Sequence, residues 1–313
     1  DGRDVRASVF RQIVERLKHE DVDGFNARDP FACADEPRRV LAESEVNSPR
    51  ARRTTLVVLV PFREEPSGQR SWQLERFVAH FDSVVAASLP EGVELKVVIL
   101  EQGPRGNFNR GKLLNVGVRW CHAYTDGDVL VCTHDVDMLP EPSLLPFYCH
   151  SQLRECVHPG WVGRKYDYKH FFGGVCCVSL ADFLCSGGFP NEFWGWGRED
   201  DVLHGRLRLA GVRVCVPAVS SGMISLDDRH APDRVGERRS AASPRWRSEN
   251  RVFREHFLGQ DTIYDPPSFV VLEHSDGGRF WHLLLDLQPG PSQAAASTSS
   301  VVPAILRRCS ATC

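Results

Sequence analysis

The sequence predicts an α/β fold with a mainly parallel central sheet, because strand patterns and helix patterns alternate through the middle of the chain. The first strand pattern is the β-branched run TTLVVLVPF, and a stripe of apolar residues from Leu74 to Val85 then predicts a helix. A second strand pattern, ELKVVILEQ, precedes a predicted helix over residues 111–124 and a third strand pattern, DVLVCTHDVD. The carboxyl ends of such parallel strands share one edge of the sheet, where ligands bind.

The flanking segments differ from this α/β domain, which we place at residues 51–287. Residues 1–50 are charged and contain one predicted amphipathic helix, so we interpret them as a stem or packing extension. Residues 288–313 begin with QPGPSQAAASTSS, which has too little apolar surface to offset the entropy of ordering. The prediction for this tail is disorder.

The composition is that of a globular protein without a specialised charge. The 313 residues are 42% hydrophobic and 25% charged, with a formal net charge of -3, so nothing indicates binding to nucleic acid or to an anionic membrane. No uncharged apolar run reaches the roughly 18 residues that predict a spanning helix. The chain begins with Asp1 rather than methionine, so we expect any signal or membrane anchor to lie in a segment that this chain lacks.

The 11 cysteines lack the paired CxxC spacing of a zinc module. Several lie in apolar runs, such as Cys176 and Cys177, which favours buried free thiols. The alternative is disulfide bonding in an oxidising compartment, for which Cys309 and Cys313 form the easiest local pair.

Two carboxylates end the third predicted strand. Asp135 and Asp137 flank Val136, so an extended chain places both acids on the same side. Oxygen ligands favour Mg²⁺ or Mn²⁺, which commonly complete their coordination with substrate phosphates. Aspartates also end strands for structural reasons, so this motif alone leaves both interpretations open.

The stretch FWGWGREDDVLHGRL, residues 193–207, combines aromatic and acidic side chains. Its adjacent acids, Glu199 to Asp201, are placed to begin a helix, where negative charge is favourable. Helix capping would explain the acids alone, but Trp194 and Trp196 add flat apolar faces on a glycine-rich loop. Aromatic faces beside carboxylates suit a sugar ring, so the stretch indicates a carbohydrate site.

Six motifs resemble those of the β-1,4-galactosyltransferases, glycosyltransferase family 7, in order and spacing across residues 55–285. They are PFREE, FNRGKLLNVG, HDVDMLP, FFGGVCCVS, GGFPNEFWGWGREDD and a later Met and His. Arg198, where other branches have glycine, and the two tyrosines of KYDYKHFFGG most resemble the xylosylprotein 4-β-galactosyltransferase branch.

The resemblance implies a GT-A fold, UDP-galactose as donor, Mn²⁺ as cofactor and inverting transfer to the 4-hydroxyl of an acceptor sugar. The branch implies β-xylose of the glycosaminoglycan linkage region of proteoglycans as that acceptor. It also implies a Golgi lumen location for a type II membrane protein in full-length form.

The resemblance further assigns roles to individual positions. Asp200 matches the catalytic base, which would accept the proton of the acceptor hydroxyl. The residues that match donor-binding positions are Pro61, Phe62, Arg63, Phe108, Arg110, Asp135, Val136, Trp196 and Glu199. Those that match acceptor-binding positions are Tyr166, Tyr168, Trp196, Arg198, Asp200 and Asp201.

The metal ligands implied by the resemblance are Asp137, Asp228 and His230. The branch has His-x-His before a proline, whereas this chain reads DDRHAP, so Asp228 replaces one imidazole with an oxygen ligand that suits Mn²⁺. Met223 is the alternative from other branches, which use Met-x-x-His, but Leu226 follows at the histidine position and cannot ligate.

Other functions stay open at this point. A GlcNAc acceptor or a UDP-GalNAc donor would keep the same chemistry. A metal-dependent phosphoesterase could use HDVD and a histidine, but it has no need for WGWG or FNRGK. An inactive sugar-binding relative would explain the departure at Asp228, although Asp137 and Asp200 together favour an enzyme.

Overall fold

The structure is a computed structural model that describes residues 38–46, 53–65, 68–125, 127–150, 152–162, 164, 171–191, 193–195, 199–227, 263 and 269–288. The strands are β1 Arg39–Leu41, β2 Thr54–Phe62, β3 Val93–Gln102, β4 Asp128–His134, β5 Met138–Pro140, β6 Glu155–Val157, β7 Val175–Ser179, β8 Arg213–Pro217, β9 Met223–Ser225, β10 Val270–Gly277 and β11 Phe280–Asp286. The helices are α1 Glu43–Val46, α2 Gln69–His80, α3 Arg110–Tyr124, α4 Leu145–Tyr148, α5 Leu180–Ser186 and α6 Glu199–Leu209.

Nine of the described strands form one mixed sheet, in the order β1-β8-β6-β7-β4-β2-β3-β11-β10. At its centre β2 pairs in parallel with both β3 and β4, and every residue of β2 is buried. The β7 strand runs antiparallel to β4 and β6, and β10 runs antiparallel to β11. A small second sheet joins β5 to β9. The mainly parallel α/β sheet predicted from the alternating patterns is confirmed.

Helices cover both faces of the sheet. On one face, α2 contributes Phe77 to a core cluster and is prolonged by a π-helical turn, Phe81–Val85, and a last turn, Ala86–Ser88. On the other face, α3, α5 and α6 pack together. Gly117 of α3 lies against β2 and β3, since a Cβ there would fall 2.6 Å from the Cδ1 atom of Leu100. Glycine therefore allows this helix to approach the sheet closely.

The predicted N-terminal extension contributes to this sheet. Within residues 1–50, β1 pairs in parallel with β8, so at least residues 39–41 pack as part of the domain. The predicted boundaries at residues 50 and 288 stay predictions, because residues 47–52 and 289–313 lie outside the described residues.

Each cysteine that the structure describes is unbonded, and most of these thiols are buried, in line with the free-thiol interpretation. Cys309 and Cys313 lie outside the described residues. None of the helices in the described ranges has the length and hydropathy needed to cross a bilayer.

Candidate active site

The predicted site residues that the structure describes lie near the carboxyl ends of β2, β3 and β4. Arg63 follows β2, and its Nη1 atom donates to the carbonyl oxygen of Gly106 in the loop after β3, at 2.9 Å. Its guanidinium also lies 5.7 Å from the ring centroid of Phe108. Pro61 and Phe62 end β2 as buried residues, whereas Arg63 is partly exposed.

Arg110 joins the β4 end to the acids that begin α6. It is the first residue of α3, whose N-terminus is capped by the Asn109 side chain. Its Nε and Nη2 atoms lie 2.9 and 2.8 Å from Asp135 Oδ1, while Nη1 lies 2.5 Å from Asp200 Oδ1 and 3.7 Å from Glu199 Oε1. One guanidinium therefore holds three carboxylates, which leaves the cluster with two excess negative charges when all are ionised.

Burial and charge within this cluster shift the pKa values of its acidic residues. Burial raises the pKa of Asp200 to about 8; Arg110 opposes the rise, and repulsion from Glu199 and Asp135 adds to it. Burial also raises the pKa of Glu199, again against Arg110. For Arg110, burial alone would lower the pKa, but Asp135, Asp200 and Glu199 together raise it above its ordinary value. Paired carboxyls with raised pKa values in a cleft are typical of proton-transfer sites.

The glycine pair of FFGG lies between Asp135 and Asp200. Asp135 N donates to the carbonyl oxygen of Gly174 at 3.0 Å, because β7 begins opposite the end of β4. At Gly173, a Cβ would lie 3.1 Å from Asp200 Oδ2. The absence of a side chain at Gly173 therefore leaves space beside the Asp200 oxygen that does not contact Arg110.

An arginine from the N-terminal extension supports this glycine loop. Arg38 Nη2 donates to the Phe171 carbonyl oxygen at 2.6 Å, and Arg38 Nη1 lies 3.0 Å from His158 Nδ1. A guanidinium only donates, so His158 Nδ1 accepts and the opposite ring nitrogen donates to Gly173 O at 2.9 Å. Burial lowers the pKa of His158 to about 3, so the ring stays neutral. The sequence carried no signal for this support, because its residues are 15 to 133 positions apart.

The HDVD motif departs from the predicted geometry. The β4 strand ends at His134, and Asp135 to Asp137 form a turn, closed by Met138 N donating to Asp135 O at 3.3 Å. The expectation that strand alternation places both acids on the same side is therefore wrong. Asp135 pairs with Arg110, whereas Asp137 lies beside Arg70, with 3.9 Å between Nη1 and Oδ2.

The two ring nitrogens of His134 contact this turn and the Tyr148 side chain. A carbonyl oxygen only accepts, so His134 Nδ1 donates to Asp135 O at 2.9 Å and Nε2 accepts from the Tyr148 hydroxyl at 3.0 Å. Burial lowers the pKa of His134 to about 4, so the ring is neutral. Val136 is buried in the core, so the β4 end is rigidly placed.

Asp137 has the chemistry of a metal ligand, and it is the one predicted metal ligand that lies within the described residues. Leu226 N donates to Asp137 O at 2.7 Å, and β5 pairs with β9, so Asp137 lies beside a segment that precedes Asp228 by two residues in the sequence. Asp228 and His230 lie outside the described residues, and within the described ranges no three His, Cys, Asp or Glu side chains cluster as a metal site. The Asp, Asp and His donors fit Mn²⁺ by ligand type.

Other predicted positions are only partly placed. Asp201 is on the first turn of α6 and is partly exposed, beside buried Glu199. The predicted residues outside the described residues are Tyr166, Tyr168, Trp196 and Arg198.

Trp194 is part of the scaffold. It packs against the core on the α3 face, and the Lys112 ammonium lies 5.4 Å from its ring centroid. Lys112 Nζ also donates to Leu287 O at 3.0 Å, while Gly195 N donates to Phe108 O at 2.8 Å. These contacts fix the start of the WGWG loop against α3 and the residues just before it, so Trp194 acts as a packing residue.

A buried amide network fixes the same region, and the sequence interpretation missed it. Asn115 Nδ2 donates to Phe189 O at 2.8 Å and to Asn191 Oδ1 at 2.9 Å, while its Oδ1 accepts from Phe189 N at 3.0 Å. Asn109 Nδ2 donates to Asn191 O at 2.6 Å, and its backbone N–H to Gln102 Oε1 at 2.8 Å. The network ties the β3 end and α3 to the loop that leads to α6. The asparagines within FNRGKLLN and GGFPN are the sequence feature that could have indicated this network.

The mainly parallel α/β sheet is of the GT-A fold class, and two family models match the chain over the residues that build this sheet and this site. A model described as the N-terminal region of glycosyl transferase group 7 matches residues 38–150, and one described as the N-terminal domain of galactosyltransferase matches residues 160–226. Together they match more than half of the chain. The chain therefore belongs to glycosyltransferase family 7, as its motifs predict.

Among curated relatives, human beta-1,4-galactosyltransferase 3 is 38% identical over 143 residues, which are 45% of this chain and 36% of the relative. Human beta-1,4-galactosyltransferase 2 is 28% identical over 241 residues, which are 76% of this chain and 60% of the relative. The chain thus spans less than two thirds of the length of either relative.

Solved structures support both the fold class and the branch. The catalytic domain of Drosophila β1,4-galactosyltransferase 7 in complex with xylobiose matches with a TM-score of 0.60 and 26% identity, over 79% of this chain and 100% of that one. A mutant of that enzyme with manganese, UDP-Gal and xylobiose matches with a TM-score of 0.57 and 25% identity, at the same coverage. The predicted GT-A fold is confirmed, and the likeness supports the xylosylprotein branch.

Proposed function

We propose that this protein transfers galactose from UDP-galactose to the 4-hydroxyl of β-xylose, with inversion at the anomeric carbon and with Mn²⁺ as cofactor. The observation that carries the proposal is the position of Asp200, between the Arg110 cluster and the space beside Gly173. Membership of the family supports galactosyl transfer, and the Drosophila complexes with xylobiose support xylose as acceptor.

Asp200 has two oxygens with different surroundings. Arg110 binds Oδ1, whereas Oδ2 faces Gly173, so Oδ2 is the oxygen available to an acceptor hydroxyl. In the proposed step, Oδ2 accepts the hydroxyl proton as the acceptor oxygen attacks the anomeric carbon. The bond from that carbon to the diphosphate breaks on the opposite face, and UDP leaves with the electron pair. A single in-line displacement of this kind inverts the α-linked donor sugar to a β-linked product.

Arg110 has two roles in this scheme. It holds the Asp200 carboxylate in one orientation and couples it to Asp135 on the donor side. The charge of Arg110 is shared with three carboxylates, so Arg63 is the residue that provides positive charge near the carboxyl end of β2, where donor phosphates would lie. Glu199 and Asp201 would bind sugar hydroxyls, and Trp196 would stack on a sugar ring. Tyr166, Tyr168 and Arg198 would contact the acceptor.

Asp137, Asp228 and His230 are the residues that would hold Mn²⁺. When bound, the ion supplies positive charge that stabilises the departing diphosphate. Asp228 in place of a second imidazole makes this donor set richer in oxygen.

By family resemblance, we place the full-length protein in the Golgi lumen as a type II membrane protein.

UDP release from UDP-galactose tests this function, with a β-xyloside and GlcNAc offered in parallel. We expect release that depends on xyloside and Mn²⁺, is abolished by EDTA, and falls about 10²- to 10⁴-fold in Asp200→Asn. Asp82→Asn, a substitution at an exposed position on the π-helical turn that prolongs α2, is the matched control and should behave as wild type. Release with GlcNAc alone would overturn the acceptor, and undiminished release in Asp200→Asn would overturn the assigned base.

A further inference from the structure

The carboxylate of Asp137 has a cationic neighbour on α2. Arg70 Nη1 lies 3.9 Å from Asp137 Oδ2, which is longer than a hydrogen bond, so the attraction acts through charge. The Asp137 side chain is 8% exposed and that of Arg70 28% exposed. The attraction is therefore less screened by water than that of a surface ion pair.

Other contacts hold Arg70 at this distance. Its Nε donates to Glu65 Oε1 at 2.9 Å and its Nη1 to Gln73 Oε1 at 2.9 Å. Gln73 is buried, and its Nε2 lies 3.5 Å from Leu226 O, at the outer limit of a hydrogen bond. Leu226 N in turn donates to Asp137 O. The contacts close a ring that links the first turn of α2 to Asp137 and to the segment before Asp228.

We propose that Arg70 is a fixed counter-ion of Asp137, which weakens binding of free Mn²⁺ and favours binding of Mn²⁺ together with UDP. This inference rests on the proposed function, in which Asp137 holds the metal. A guanidinium held beside the carboxylate repels a dication that shares it. A diphosphate reverses this effect, because its negative charge attracts the guanidinium and the metal alike.

The proposal predicts changes of opposite sign, which a loss of local structure would not produce. In Arg70→Gln, Mn²⁺ alone should bind about fivefold more tightly, as expected for loss of a partly exposed charge pair. In the same variant, UDP at saturating Mn²⁺ should bind about fivefold more weakly. Arg70→Lys keeps the charge and should stay close to wild type in both measurements.

The experiment measures free Mn²⁺ by electron paramagnetic resonance during titration of the protein, first without and then with UDP. Arg76→Gln is the matched control, because Arg76 lies on the same helix, is exposed, and contacts Trp72 rather than Asp137. Weaker or unchanged Mn²⁺ binding in Arg70→Gln would overturn the counter-ion role. If wild type and Asp137→Asn bound Mn²⁺ equally, the metal site of the proposed function would be wrong instead.

Discussion

Removal of Arg110 should destabilise the protein in a manner that depends on pH. Arg110→Gln leaves Asp135, Glu199 and Asp200 without the cation that holds them. Breaking a fully buried pair costs about 3–5 kcal/mol, but Asp200 and Asp135 have side chains that are 26% and 36% exposed. Discounting for that exposure, we expect a loss of about 2–3 kcal/mol in the free energy of unfolding at pH 9.

The sign of the pH dependence follows from the raised pKa of Asp200. A carboxyl whose pKa is raised in the folded state contributes stability below its unfolded pKa and loses that contribution as pH rises through about 8. Without Arg110, which lowers the pKa of Asp200, the folded pKa rises further and the loss at high pH is larger. The difference between wild type and Arg110→Gln should therefore shrink as the pH falls from 9 to 6.

Urea denaturation followed by tryptophan fluorescence at pH 6 and pH 9 measures this difference. Arg279→Gln is the control, because Arg279 pairs with Asp82 on the surface, with side chains 41% and 63% exposed. Its cost should be below about 1 kcal/mol. An equal loss in Arg110→Gln at both pH values would refute the charge-cluster explanation.

Three further results are expected. Gly173→Ala should lower kcat by roughly tenfold while UDP affinity is kept, because the new methyl group would lie 3.1 Å from Asp200 Oδ2; unchanged kcat in a steady-state assay would count against this position. The kcat/KM for acceptor should fall as the pH drops below about 8, since Asp200 must be ionised to accept a proton; a flat profile from pH 6 to 9 would contradict that base. Asn115→Leu should cost about 2–4 kcal/mol in urea denaturation, because it leaves Phe189 N–H and C=O unpaired in the core; a loss below 1 kcal/mol would show that the network is not structural.

Much of the fold was predictable because it depends on local patterns. The run TTLVVLVPF forms β2 at the predicted residues, and the predicted helix over 111–124 begins one residue earlier, at Arg110. The carboxyl-end rule also placed Arg63 and Asp135 at one edge of the sheet. The patterns did not predict where β4 ends. The chain turns after His134, so Asp135 and Asp137 lie beside different arginines.

The supporting contacts could not be predicted because they join residues that are distant in sequence. Arg38 reaches the FFGG loop from the N-terminal extension, 133 positions away. Arg70 is near Asp137 only because α2 packs beside the segment of Leu226. Single-sequence periodicity shows which face of an element is buried but not which distant element covers it.

The most direct test of the central claim is the structure of the product. Wild-type protein should be incubated with UDP-galactose, Mn²⁺ and an aryl β-xyloside, and the purified product examined by proton and heteronuclear NMR. The account predicts one galactose with the large anomeric coupling of a β-linkage, correlated to carbon 4 of xylose. An α-linked galactose, or attachment at another xylose hydroxyl, would contradict the proposed in-line displacement at the Asp200 site.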